Sequence, residues 1–382
     1  MQRLITAESV TEGHPDKIAD QISDAVVDAI LTQDPDARVA CDVLISNGFC
    51  IVGGEIHTAA YAPIGEIARN TIREIGYTDG SFGFDYRSAG VLLAVGEQSP
   101  DIAQGVAHKD GTLGAGDQGT VYGYACDETP ERMPLAILLA HRLTRRLARV
   151  RKEGILPYLC PDGKAQVVIA YEGDRPIGVR HVTVSSHHAR SVKTERLREG
   201  IAAEVIDAVI DQELRAEGFS QAINPTGLFV IGGPQADTGL TGRKNIVDSY
   251  GGACPHGGGA FSGKDGTKVD RSGAYMARYI AKNLVEAGVC RRVSVAISYV
   301  IGISEPVALD IDTHGTHTVD PERIIQAVRA IFPLDPAGMI AMLDLKRPQY
   351  YKSAAYGHFG RENEGFVWEQ TDKVEAIRAA LN

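Results

Sequence analysis

The sequence predicts an α+β fold made of three related sheet-plus-helix domains. The order helix, strand, strand, helix occurs three times along 382 residues, a length that suits two or three cores better than one. In each copy, apolar side chains recur at helical spacing ahead of a pair of strand-like runs. Two long glycine-rich connections, 96–120 and 224–270, separate the copies.

The first copy opens with a helix over 15–31. Ile18, Ala19, Ile22, Ala25, Val26, Ala29 and Ile30 share one face of it. Pro15 suits the first helical position, which puts His14 at the cap and Asp16 in the first turn. Asp34-Pro35 ends the helix. Strands at 38–46 and 49–57 follow, joined by Asn47-Gly48, a strong hairpin signal. A helix over 63–75 stops at Gly76. In the second copy a helix over 133–152 precedes strands at 165–171 and 177–186, which flank the turn GDRPIG, and then a helix over 194–214. The third has a helix over 272–287 capped by Gly288, strands near 292–301 and 306–312, and a helix over 320–331. The copies share pattern rather than identity. They divide the chain into 1–100, 113–230 and 231–382.

With 44% hydrophobic and 23% charged residues, the chain can bury sizeable cores and is not disordered. Its net charge of −10 opposes general nucleic-acid binding, so a phosphate site has to be a local basic pocket. No early run resembles a signal peptide, and no apolar stretch reaches the ~18 residues of a membrane helix. The six cysteines show neither CxxC nor zinc spacing, which suits reduced thiols in a cytoplasmic protein.

The chemistry-bearing stretch is GGGAFSGKDGTKVD, residues 257–270. Its glycines let backbone N–H groups approach an anion. Lys264 and Lys268 add charge just before a helix start, itself an anion site. Gly258 to Lys264 spells GxxxxGK, but Asp265 replaces the hydroxyl a P-loop uses for magnesium, and no strand precedes it. A polyphosphate cradle of another kind is the better reading. Asp16 in ESVTEGHPDK either complements the helix dipole or helps to bind a Mg²⁺ that also takes phosphate oxygens. Asp270 holds the corresponding place before the third copy's helix. Arg243 and Lys244 in GPQADTGLTGRK are either phosphate ligands or a solvated basic turn, and Asp237 suits a ribose or an amino group. Asp117 stands among glycines in GAGDQG, and Lys164 follows Asp162-Gly163, itself a turn signal. His187-His188 read as a surface pair at a strand end, with no metal assigned.

GAGDQG (114–119) and GGGAFSGKD (257–265) resemble the two signature motifs of the S-adenosylmethionine synthetase family. GHPDK (13–17), FVIGGPQADTGLTGRK (229–244), KVDRS (268–272) and AAYGHFGRE (354–362) agree, so the resemblance spans nearly the whole chain and is closest to bacterial members. It implies pseudo-threefold symmetry of the three domains. It also implies a homotetramer, a dimer of dimers, with active sites between the subunits of each dimer. The implied reaction joins ATP and L-methionine: sulfur attacks C5′, the whole triphosphate leaves, and it is then hydrolysed to pyrophosphate and phosphate. A catalytically silent homologue would be expected to lose these acids and lysines, yet they are present.

By matching motifs, the resemblance assigns catalytic roles to His14, Lys164, Arg243, Lys264 and Lys268. It assigns ATP contacts to His14, Asp162, Gly163, Lys164, Leu228, Phe229, Asp237, Arg243, Lys244, Ala260 and Lys264. Methionine falls to Glu55, Gln98, Asp117, Asp237 and Lys268. Asp16 and Asp270 would serve two Mg²⁺ ions and Asp42 one K⁺, with Asp42 standing where many bacterial members carry Glu. Residues 98–112 match a mobile gate loop that is one residue shorter than in some members. ENEG (362–365) reads as a small surface insertion.

Overall fold

The computed structural model describes residues 2–97 and 113–381. The expected gate at 98–112, and Gln98 with it, lies outside the described residues.

The first third holds β1 (Gln2–Val10), α1 (Pro15–Leu31), β2 (Arg38–Ser46), β3 (Phe49–His57), α2 (Ile64–Ile75) and β4 (Gly90–Gly96). Next come β5 (Gly119–Cys126), α3 (Leu135–Lys152), β6 (Leu159–Glu172), β7 (Arg175–His188), α4 (Thr194–Ile201) and β8 (Arg215–Ile223). The last part holds β9 (Gly239–Leu240), α5 (Asn245–Asp248), α6 (Val269–Glu286), β10 (Arg292–Tyr299), β11 (Ala308–Asp312), α7 (Pro321–Ile331), α8 (Pro336–Met342), α9 (Tyr350–Ser353) and α10 (Val374–Leu381).

The strands form three sheets, ordered β9-β2-β3-β4, β1-β6-β7-β8 and β5-β10-β11. Each begins with a strand donated from another part of the chain. β1 pairs antiparallel with β6, β5 with β10, and β9 with β2. Beside each donated strand lies an antiparallel pair, β2-β3, β6-β7 or β10-β11. In the first two sheets a parallel strand completes the set. The exchange is therefore cyclic: the strand that leads into each long helix belongs to the next sheet round. This is the pseudo-threefold arrangement of three sheet-plus-helix units, and it interlocks them, because no sheet is complete without chain from a second segment.

The long helices α1, α3 and α6 each lie on one sheet. On α1, Ile18, Ile22, Val26 and Val27 are buried in the core that holds Val39, Cys41, Val43 and Ile45 of β2. Each such side chain contributes about 1.5–3 kcal/mol by leaving water. Asn47-Gly48 turns β2 into β3 with Gly48 at φ 80°, a conformation that glycine adopts without strain. All six cysteines are buried free thiols. Among the described residues, no single helix is long and apolar enough to cross a membrane.

Several elements differ from expectation. The helix expected over 194–214 runs as α4, widens over Ala202–Ile206 and ends at Val209, after which Gln212–Leu214 form a separate turn. The third copy's first helix begins at Val269, three residues early. β1, β4, β5, β8 and β9 were not anticipated. ENEG lies at the surface, with Glu362, Asn363 and Gly365 exposed, but it is tied down: Glu362 reaches the buried Lys282 at 2.5 Å, and Glu364 pairs with Arg361 and Arg145 at 2.5 and 2.9 Å.

Candidate active site

Helix α1 carries aspartates at 16, 20, 24 and 28, one per turn and all on one face. That spacing reads as a solvated stripe, yet Asp16, Asp20 and Asp24 are essentially inaccessible. Each carboxylate pins a different piece of backbone. Asp16 Oδ1 accepts from Leu240 N at 3.0 Å, Asp20 Oδ1 from Gly242 N at 2.9 Å, and Asp24 Oδ1 from Gly263 N at 2.9 Å. Asp28 accepts from the N–H groups of Gln349, Tyr350 and Tyr351, each at 2.9 Å. The two glycine-rich loops thus hang from successive turns of a single helix. They also touch each other, since Asn245 Nδ2 donates to Gly258 O at 3.0 Å and a side chain at Gly242 would meet the Ala260 methyl.

Cations gather at the start of α1. Lys244 Nζ donates to Asp16 Oδ2 at 2.6 Å, and Arg243 Nε stands 3.6 Å from Asp16 Oδ1. His14 caps the helix, its Nδ1 accepting from Asp16 N at 3.2 Å. Burial, then the charges of Lys244 and Lys164, lower its pKa to about 3. The ring is therefore neutral, with its proton on Nε2 as a donor. Lys164 comes alongside because β1 pairs Val10 with it. On the same strand, Asp162 Oδ2 accepts from Gly233 N at 2.9 Å, while its Oδ1 is buried without a partner. Burial raises the Asp162 pKa to about 6. Lys17 of GHPDK, one residue past Asp16, faces inward. It is fully buried between Asp20 and Asp248 and is committed to both.

A second group lies at the start of α6. Lys264 Nζ donates to Asp270 Oδ2 at 2.7 Å, and Gly259 lies so close to Asp270 that a Cβ there would come within 2.2 Å of its carboxyl. Lys264, Lys268, Asp270, Asp117 and Arg38 line a cleft of about 120 Å³. Lys268 Nζ is tied to Asp265 at 2.5 Å.

Asp265 explains why the near-P-loop spelling misleads. Its carboxylate is buried and accepts from Val39 N at 2.6 Å and Thr267 N at 2.7 Å. Cys41 N donates to Gly263 O, and Ala40 bridges to Lys264. Residues 263–265 therefore run along the edge of β2, beyond the two-residue β9. They do not connect a strand to a helix as a P-loop does.

The remaining expected residues fall in three places. Asp42 and Glu55 stand exposed on the outward face of the first sheet. Leu228 is 66% exposed beside Phe229, whose ring packs on His187 with centroids 5.6 Å apart. Asp237 caps its own turn through Thr238 N. His187 and His188 are not a surface pair. Both are buried, and His188 Nε2 accepts from Phe229 N at 3.2 Å, so they seat the Phe229 segment. Asp20, Asp24, Asp248 and Arg271 escaped notice. The four-residue repeat of Asp on α1 was the available signal.

Models of the N-terminal, central and C-terminal domains of S-adenosylmethionine synthetase match residues 2–100, 112–229 and 231–370. The S-adenosylmethionine synthase of Sulfurimonas denitrificans is 62% identical over 378 residues, covering 99% of this chain and 96% of the relative. That of Sulfurovum sp. (strain NBC37-1) is 59% identical over 379 residues, covering 99% and 98%. That of Helicobacter pylori (strain G27) is 56% identical over 376 residues, covering 98% of each. With three domain models in order and relatives this similar along their whole length, the chain belongs to the S-adenosylmethionine synthetase family.

Proposed function

We propose that the chain is a methionine adenosyltransferase. Methionine sulfur attacks C5′ of ATP, the C5′–O bond breaks, and triphosphate leaves intact. Water then cleaves the triphosphate to pyrophosphate and phosphate in the same site. The observation that carries this reading is the pair of lysine–aspartate clusters, Lys244–Asp16 and Lys264–Asp270, held on two touching loops. A thioether is a weak, neutral nucleophile, so the barrier has to fall through positioning and through stabilisation of a highly charged leaving group. Arg243, Lys244, Lys264 and Lys164 supply charge for the phosphate oxygens. His14, neutral and with Nε2–H as donor, can hydrogen-bond a phosphate oxygen without bringing a proton of its own to neutralise. Phe229 offers an aromatic face for adenine, Asp162, Gly163, Leu228 and Ala260 backbone and polar contacts for the nucleotide. Asp117, Asp237, Glu55 and Lys268 suit the charged ends of methionine.

The donor set fits Mg²⁺. Among the described residues no cluster of three His, Cys, Asp or Glu side chains forms a metal cage, and magnesium needs only one or two carboxylates when phosphates and water complete its shell. Asp16 and Asp270 would each contribute to one ion. When bound, the ions neutralise triphosphate oxygens and favour its departure. The K⁺ assigned to Asp42 has that single exposed carboxylate to meet it.

The outward face of the first sheet supports assembly. Leu44, Ile51 and Leu92 lie across it in register, with Leu240 at its edge, and Asp42 and Glu55 share the face. A second copy covering it would bring those acids to a subunit boundary, as a dimer-of-dimers tetramer requires.

The test is incubation with ATP, methionine and Mg²⁺. S-adenosylmethionine, pyrophosphate and phosphate in equal amounts are expected, with no ADP. ADP without S-adenosylmethionine would contradict the proposal.

A further inference from the structure

His358 lies in the motif AAYGHFGRE and touches none of the residues assigned to ATP, methionine or metal. It is completely buried, and it sits where both glycine-rich loops converge. Its N–H donates to Asp248 O at 3.0 Å, and Asp248 ends α5, the helix that directly follows Arg243-Lys244. Its ring packs edge-on against Phe261, inside the second loop, with centroids 5.0 Å apart. Its carbonyl accepts from Trp368 Nε1 at 2.9 Å, which fixes it from behind.

The side-chain bonds run in one direction. Arg271 can only donate. It forks onto Asp24 at 2.7 and 2.8 Å, donates to Lys264 O at 2.8 Å, and gives its Nε–H to Tyr275 Oη at 3.1 Å. Tyr275 therefore passes its own proton bond to His358 Nδ1, 2.7 Å away. That leaves the His358 proton on Nε2, which is buried without a hydrogen-bond partner, Asp248 Oδ1 being 3.9 Å away, so the link from His358 to Asp248 is the backbone bond from its N–H. Asp248 in turn holds the Lys17 ammonium, shared with Asp20, and Asp20 pins Gly242. The circuit begins at Gly263 in the second loop and ends at Gly242 in the first.

We propose that His358, with Tyr275 and Asp248, is a positioning unit that sets the spacing between the two anion-binding loops. It acts on the triphosphate through Lys264 on one side and Lys244 on the other. The inference deepens the adenosyltransferase reading and rests on it for the identity of the ligand. Buried hydrogen-bonded networks of this kind favour one geometry because moving a bonded member leaves a polar group unpaired at low dielectric.

The experiment uses full-length Tyr275→Phe, His358→Gln and the double variant. Tyr275→Phe keeps the ring and so preserves the packing, while it removes the bond to His358 Nδ1 together with the one from Arg271 Nε. Binding of inorganic tripolyphosphate is measured by calorimetry with and without Mg²⁺, beside kcat and KM for methionine and the melting temperature. Tyr275→Phe is expected to weaken tripolyphosphate binding about tenfold and to lower kcat by a similar factor, with KM for methionine within twofold. The double variant is expected to be no worse than His358→Gln alone, because both changes break one circuit. Losses that multiply in the double variant, or single variants that melt earlier yet bind tripolyphosphate as wild type does, would overturn the proposal. Tripolyphosphate that binds tightly to a wild type making no S-adenosylmethionine would instead remove the reaction and leave the positioning unit testable.

Discussion

Asp24 of α1 and Arg271 of α6 face each other through two parallel hydrogen bonds of 2.7 and 2.8 Å, and neither side chain reaches solvent. The pair joins the third turn of α1 to the first turn of α6, the two partners lying 247 residues apart in sequence. Asp24 also holds Gly263, and Arg271 holds the Lys264 carbonyl. The second glycine-rich loop is thus clamped from both partners of one ion pair.

Breaking that clamp leaves a buried charge without its counter-charge. Asp24→Ala is expected to cost about 3–5 kcal/mol of stability, read as a lower midpoint in urea. Replacing both partners with apolar residues, Asp24→Leu with Arg271→Met, is expected to recover much of the loss while activity stays low, because the loop anchors are gone. A double variant as unstable as Asp24→Ala would count against this account.

The lysine–aspartate pairs proposed to meet phosphate and magnesium behave differently because the loop does not depend on them. Lys264 and Asp270 side chains are 24% and 22% exposed, while the backbone around them is held by Asp24 and Asp265. Lys264→Ala and Asp270→Asn are each expected to lower kcat by orders of magnitude, on the scale of lost charge stabilisation. Their melting temperatures should stay within a few degrees of wild type. Near-normal turnover in either would remove its assigned role.

Asp162 gives a pH signature. Burial raises its pKa from 3.8 to about 6, so the folded state holds the proton more tightly than the unfolded chain. The stability this contributes is fully present below pH ~4 and is lost as pH rises through about 6, a swing of about 3 kcal/mol. Asp162→Asn carries no such charge and can still accept from Gly233 N. It is expected to be more stable than wild type at pH 7.5, with the gap closing toward pH 4.5. A difference in melting temperature that stays constant over that range would contradict the assignment.

The assembly proposal is tested on the outward sheet face. Ile51 is paired in register with Leu44 and Leu92 and lies away from the core. Ile51→Lys is expected to shift sedimentation to smaller species and to reduce turnover together with it. Wild type sedimenting as a monomer with full activity would refute the shared site.

Local features were legible in the sequence. Asn47-Gly48 announces its hairpin because the turn needs positive φ, and Pro15 with His14 marks the start of α1 because capping is decided within a few residues. The donated strands were not legible. QRLITAESV of β1 finds its partner on β6, more than a hundred residues away, and nothing in its own pattern names that partner. Two-residue β9 is too short to carry any period. In the site, the glycine loops and their lysines stood out because unusual composition marks close approach to an anion. Their anchors did not. Asp16, Asp20, Asp24 and Asp28 at four-residue spacing look like a wet helix face, and only the long-range hydrogen bonds to Leu240, Gly242, Gly263 and Tyr350 turn that face inward. His187 and His188 misled for a related reason: polar residues at a strand end are exposed unless another segment, here that of Phe229, covers them.

The claim that matters most is that triphosphate leaves C5′ whole and is cut afterwards. A chemical-quench single turnover with ATP labelled in the γ-phosphate, excess enzyme, methionine and Mg²⁺ tests it directly. Label is expected first in enzyme-bound tripolyphosphate, in step with S-adenosylmethionine, and afterwards in pyrophosphate and phosphate. Labelled phosphate released with ADP, before any S-adenosylmethionine forms, would contradict it.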